Sequence, residues 1–238
     1  MSYMKLKIVH LYPDLLNLYG DKGNIECMRK RLEWRGIDAE VCECTGDDVV
    51  DFSTADIVFL GGGSDREQSI VCEKLIKFKD ELVSYIENDG VLVATCGGYE
   101  LLGKIDGDEY GLGILDIKTN REEKRLIGDC VIKSDMCDDL VVGFVNHGGR
   151  VDIGTYVPFG KVIYGCGNND SGEYEGIVYK NLIATYLHGP LLPKNPKLCD
   201  KILENALKKK YVEFKMLTPL DDGMENSANN YIVDRFKK

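Results

Sequence analysis

The chain has 238 residues, 44% of them hydrophobic, with 30 lysines and arginines against 40 aspartates and glutamates, for a formal net charge of −10. That apolar content excludes an intrinsically disordered chain, the absence of a glycine period excludes a collagen-like one, and the length suffices for a sizeable core. The acidic balance, with no basic run longer than Lys208-Lys209-Lys210, repels phosphate backbones and anionic lipid, so the expected partner is a small molecule or a protein.

The amino terminus runs from Met1 to Lys5 directly into an apolar strand over 6–11, without the pattern of a signal peptide. No stretch approaches the roughly 20 apolar residues of a membrane span, and the expected location is the cytoplasm. Apolar residues spaced by three and four over 24–34, stopped at Gly36, predict a helix; alternation over 38–44 predicts a second strand. Cys42 and Cys44 share one face of that strand and read as small packed hydrophobes. The nine cysteines are odd in number and scattered, with no Cys-x-x-Cys pair, which argues against a disulfide framework and against zinc. A buried strand over 56–60 ends in Gly61-Gly62-Gly63, an amphipathic helix spans 67–86 and closes at Asn88-Asp89-Gly90, and an unbroken apolar strand over 91–95 runs into Cys96-Gly97-Gly98. This alternation predicts an α/β fold: an open, mostly parallel sheet flanked by helices, with its ligand site beyond the carboxyl ends of the strands.

The second half offers strand-like runs over 140–145, 161–164, 176–179 and 182–187, then a helix over 196–209 with Leu198, Ile202, Leu203 and Leu207 on one stripe. From about 215 the mixture of Asp, Gly, Asn and Lys suggests a mobile tail or a docking segment. No repeat or linker divides the chain, and residues 1–238 read as a single domain.

Cys96 follows an apolar strand and precedes two glycines, the context of a nucleophile on a sharp strand-to-helix turn, where small neighbours relieve crowding. A helix beginning at Gly97 would aim free N–H groups at the sulfur, favouring the thiolate and offering the Gly97 amide as an oxyanion donor. A thiol nucleophile needs a base, and there are only three histidines. His10 lies inside the first strand and reads as a hydrogen-bonded core or strand-end residue. His188 and His147 both end apolar runs beside glycine, and position favours His188, which closes the run over 182–187. The Gly61 to Gly63 triplet lacks the following Gly-Lys-Ser/Thr of a phosphate loop and suits a loop whose amides approach a ligand.

FLGGGSDREQ (59–68), CGGYELLG (96–103), GFVNHGGR (143–150), GCGNN (165–169) and TYLHGPLLPKN (185–195) resemble the class I glutamine amidotransferases of the cobyric acid synthase type. Within that family the chain is most similar to the glutaminase subunits of lipid II isoglutaminyl synthases, from LYPDLLNLYG (11–20) to about residue 209. The resemblance implies that Cys96 attacks the side-chain amide of glutamine, that His188 takes and returns the proton, and that Gly62 and Gly97 donate to the oxyanion. It further implies that Arg125, within EEKRLIGD (122–129), holds the substrate carboxylate, and that no metal or cofactor belongs to this chain. Ammonia would pass to a MurT-like Mur-ligase subunit carrying ATP and magnesium, which amidates the D-glutamate of lipid II. Other acceptors, a corrinoid or an archaeal wall precursor, and a non-catalytic scaffold remain alternatives. Two positions depart from the family pattern. Pro190 stands two residues after His188, where many members carry the acid of the triad, so the resemblance assigns that acid to the partner; Glu100 stands where Gln is usual.

Overall fold

The computed structural model describes residues 4–106 and 110–236. Strand β1 (Lys5–Leu11) leads through helix α1 (Lys22–Glu33) to β2 (Asp38–Cys44), β3 (Ile57–Leu60) is followed by α2 (Asp65–Leu75) and α3 (Lys79–Glu87), and β4 (Val91–Thr95) turns into the short α4 (Gly97–Leu101). The strands β5 (Lys104–Ile105), β6 (Lys118–Lys133), β7 (Leu140–Asp152), β8 (Gly160–Tyr164), β9 (Tyr174–Glu175), β10 (Ile177–Tyr179) and β11 (Leu182–Thr185) come next, and α5 (Pro196–Lys210) and α6 (Gly223–Phe236) close the chain.

Six strands form the first sheet in the order β10-β11-β4-β3-β1-β2, every pair parallel except the antiparallel edge pair of β10 with β11. The unbroken apolar runs explain the centre: each residue of β3, β4 and β11 is buried, as parallel strands covered on both faces require. His10 is a fully buried core residue, edge-on to Phe59 at 5.4 Å, but among the described residues its ring nitrogens find no hydrogen-bond partner, so it is not the satisfied histidine expected. Ser64 and Glu67 form a reciprocal capping box that fixes the start of α2 directly after the glycine loop. The stripe of Leu198, Ile202, Leu203 and Leu207 seats α5 in the core. Arg31 of α1 is 2% exposed and makes bidentate ion pairs with Asp200 and Asp222, tying the carboxyl-terminal segment to the sheet's flank. All nine cysteines are free thiols.

Two features differ from the sequence expectation, and a third chooses between its alternatives. The single helix expected over 67–86 is broken by a 3-10 turn at Ile76–Phe78, with no Gly or Pro to mark it. A second, largely antiparallel sheet is built on β6 and β7, which pair from Lys118 opposite Asp152 to Lys133 opposite Leu140. β6 was not anticipated, and β7 extends well beyond 145 to place His147 inside a strand. The segment after 215 carries α6, which buries Asn229 and Val233; Asn229 donates to the Leu140 and Lys194 carbonyls. That segment is therefore docked.

The two sheets meet where the first sheet's carboxyl ends lie. Phe144 of β7 and His188, just past β11, exchange backbone hydrogen bonds of 3.2 and 3.0 Å.

Candidate active site

Cys96 occupies the turn between β4 and α4 with φ at +50°, a left-handed conformation in a non-glycine residue that costs about 1–3 kcal/mol. Its surroundings hold it there. The Cys96 N–H donates to Thr185 O of the adjacent β11 at 2.8 Å, and the amides of Tyr99 and Glu100 both donate to Cys96 O. Close approach explains the glycines: a Cβ on Gly62 would lie 2.9 Å from Cys96 Cβ, and one on Gly98 only 2.5 Å from Leu60 O.

Cys96 is 7% exposed, with the Gly97 amide beside its sulfur. The thiolate expectation does not hold at rest. Burial, then the carboxylates of Glu100 and Asp21, push the Cys96 thiol up against the smaller opposing effect of the Gly97 amide. Cys96 is therefore a thiol at rest, and an attack by its sulfur would require a base.

His188 is fully buried. It lies three residues beyond Thr185, whose register partner Thr95 immediately precedes Cys96, so both side chains project from the same end of paired parallel strands. Tyr19 stacks on the His188 ring at 3.8 Å and Phe144 meets it edge-on at 5.7 Å. Among the described residues neither ring nitrogen has a hydrogen-bond partner, and burial lowers the His188 pKa to about 4, leaving a neutral imidazole at physiological pH. The structure makes no Cys96–His188 hydrogen bond.

A cavity of about 630 Å³ opens on Cys96, lined also by Tyr19, Gln68, Glu100, Arg121, Arg125 and His147. A larger one of about 760 Å³, lined by Asp56, Tyr85, Lys209 and Lys210, lies away from Cys96. Arg125 reaches the first cavity through an irregularity in the second sheet: Arg121 faces Gly149 and Leu126 faces His147, so residues 122–125 bulge opposite Gly148 alone. Its guanidinium donates to Asn146 Oδ1 and to Asn146 O, both at 2.7 Å. Glu100 is 5% exposed, accepts a 2.8 Å bond from Tyr186 Oη, and has its pKa raised by burial. It thus faces the site.

Gly62 adjoins Cys96, but its amide donates to Asp21 Oδ2 at 3.2 Å, so this expected oxyanion donor is already engaged. Asp21 is 1% exposed and also accepts from Thr95 Oγ1 at 2.9 Å; burial raises its pKa to about 6 despite both bonds.

The CobB/CobQ-like glutamine amidotransferase domain model matches residues 7–196, which span the elbow, the glycine loop, the Arg125 bulge and His188. The chain belongs to the CobB/CobQ-like glutamine amidotransferase family. Among family relatives, it is 45% identical to the GatD subunit of the glutamine-hydrolysing lipid II isoglutaminyl synthase of Staphylococcus aureus, over 97% of this chain and 96% of that one. It is 40% identical to the Streptococcus pneumoniae GatD subunit, over 92% and 86%. The cobyric acid synthase of Listeria innocua is 29% identical over 59% of this chain and 30% of its own length. In fold, this glutamine amidotransferase-family chain is similar to PurLQS from Thermotoga maritima (TM-score 0.58, 14% identity, covering 86% of this chain and 99% of that one). It is also similar to a glutamine amidotransferase crystal structure (TM-score 0.52, 17% identity, 83% and 98%).

Asp21, Tyr19, Asn146 and Tyr186 were missed by the sequence reading. Each reaches the site through contacts remote in sequence, such as Asp21 with Thr95, and no local spacing announces them.

Proposed function

We propose that this chain is the glutaminase subunit of a lipid II isoglutaminyl synthase, hydrolysing L-glutamine and delivering ammonia to a MurT-like, ATP- and magnesium-using ligase subunit that amidates the D-glutamate of lipid II. The observation that carries the reading is Cys96 at a left-handed strand-to-helix turn, facing a cavity that also holds Arg125. Whole-length identity of 45% to a GatD subunit supports the acceptor and the division of labour.

In this mechanism the glutamine carboxylate draws the Arg125 fork away from Asn146, which brings the side-chain amide to Cys96. As Sγ attacks the amide carbon, its proton passes to neutral His188. The tetrahedral oxyanion accepts from the Gly97 amide and from Gly62, once the latter gives up its long bond to Asp21. The C–N bond then breaks, the leaving nitrogen takes the proton from His188, and ammonia departs. Water, deprotonated by His188, attacks the glutamyl thioester and frees glutamate and the Cys96 thiol. The unpartnered nitrogens of His188 and Pro190 at the usual acid position support an orienting carboxylate from the ligase subunit, which makes full activity depend on assembly.

The test is glutamate release from L-glutamine by the chain, alone and with the ligase subunit, beside Cys96→Ala and His188→Ala. The proposal expects release that both substitutions abolish and that the partner increases. Undiminished release from Cys96→Ala would overturn it.

A further inference from the structure

His147 lies inside β7 and is 2% exposed. Its ring stacks on Tyr186 at 3.5 Å, 7° from parallel. Nδ1 is 2.8 Å from Gly149 O, and a carbonyl can only accept, so Nδ1 carries the proton and Nε2 presents a lone pair. Nε2 is buried and has no hydrogen-bond partner among the described residues, although the residue lines the Cys96 cavity. An acceptor buried this way is unfavourable until something donates to it.

Glu100 belongs to the same patch. Tyr186 connects the two residues by stacking on one and donating its hydroxyl to the other, and a Cβ on Gly149 would lie within 2.5 Å of Tyr186 Oη. Among the described residues no cation forms an ion pair with the Glu100 carboxylate. The cavity therefore has an acceptor wall, Glu100 and His147, besides the guanidinium groups of Arg121 and Arg125. Donors and acceptors divided in this way suit a zwitterion, the carboxylate and the ammonium of an α-amino acid.

We propose that His147 Nε2, beside the Glu100 carboxylate, accepts a hydrogen bond from the substrate's α-ammonium and makes the site selective for amino-acid amides over amides lacking the amino group. Burial lowers the His147 pKa to about 4, so the lone pair persists at neutral pH. The inference rests on the glutaminase reading and adds to it the group that recognises the amino end. His147 is assigned to substrate recognition, and the proton transfers stay with His188.

The experiment compares L-glutamine with 5-amino-5-oxopentanoate, the same amide and carboxylate without the amino group, as substrates of the full chain with its ligase partner. His147→Leu should raise KM for L-glutamine about tenfold or more, the worth of one hydrogen bond to a charged group, and leave kcat/KM for the deaminated amide within about twofold. His147→Gln, which restores an acceptor, should recover part of the loss. Equal loss on both substrates would overturn the assignment. Should His147→Leu fail to fold, the imidazole ¹⁵N spectrum of Cys96→Ala reads the same contact: the Nε2 resonance should move with L-glutamine and stay still with the deaminated amide. Binding of L-glutamine with an unmoved Nε2 would refute the role of His147 alone, whereas no binding of either amide would refute the glutaminase reading and this inference with it.

Discussion

Asp21→Asn gives a prediction whose size follows from the geometry around Thr95 and Gly62. The carboxylate is 1% exposed, and its bonds from Thr95 Oγ1 and the Gly62 amide do not offset the loss of solvent, so its pKa stands at about 6 against an ordinary 3.8. For an acid whose pKa is higher in the folded state, the folded chain binds more protons between the two values, and stability falls as pH rises through that window. The difference of about two units corresponds to about 3 kcal/mol, absent below pH 4 and fully expressed above pH 6. Asparagine has no charge to desolvate. It keeps one acceptor and turns its amide N–H toward a donor, at a cost of about 1 kcal/mol. Asp21→Asn is therefore expected to be about 1 kcal/mol less stable than the native chain near pH 4 and about 2 kcal/mol more stable at pH 7. Urea denaturation of both proteins from pH 4 to 7.5 measures this, and all other titrating groups cancel in the difference. A difference independent of pH, or one that moves in favour of the native chain as pH rises, would refute the reasoning.

Glu100→Gln removes the carboxylate that, after burial, contributes most to holding the Cys96 thiol protonated; the pH dependence of iodoacetamide alkylation should shift to lower pH. Gly98→Ala forces a Cβ to 2.5 Å from Leu60 O, a backbone atom that cannot swing aside; unfolding stability should fall by about 1–3 kcal/mol and glutamate release should collapse with the turn. Arg31→Met leaves Asp222 without its cation and Asp200 paired with Arg35 alone, and denaturation should show a loss of about 1–3 kcal/mol, with faster proteolysis after residue 210.

The first sheet was legible because its central strands are buried on both faces, and runs such as 57–60 and 91–95 contain no polar break before the chain turns. The turn at Cys96 was legible for a related reason: only small residues fit around it, so glycines stand next to it in sequence. The second sheet was not. β6 is exposed along much of its first two-thirds and carries a bulge at 122–125, which destroys the alternation that identifies a strand. The same bulge carries Arg125 to the cavity, so a position that composition reads as solvated surface needed the family resemblance to be singled out. Gly62 shows the opposite limit. Its proximity to Cys96 was readable, whereas the direction of its amide depends on Asp21, a loop residue brought in by the fold.

Intact-mass analysis after incubation with a chloroketone that mimics glutamine tests the central claim most directly, because it asks whether the Cys96 cavity binds glutamine's shape and presents a reactive sulfur. A single adduct mapped to Cys96, suppressed by excess L-glutamine and absent from Cys96→Ala, is the expected result. Adducts spread over the other eight cysteines with Cys96 unmodified, or labelling of Cys96 that L-glutamine leaves unchanged, would contradict the account.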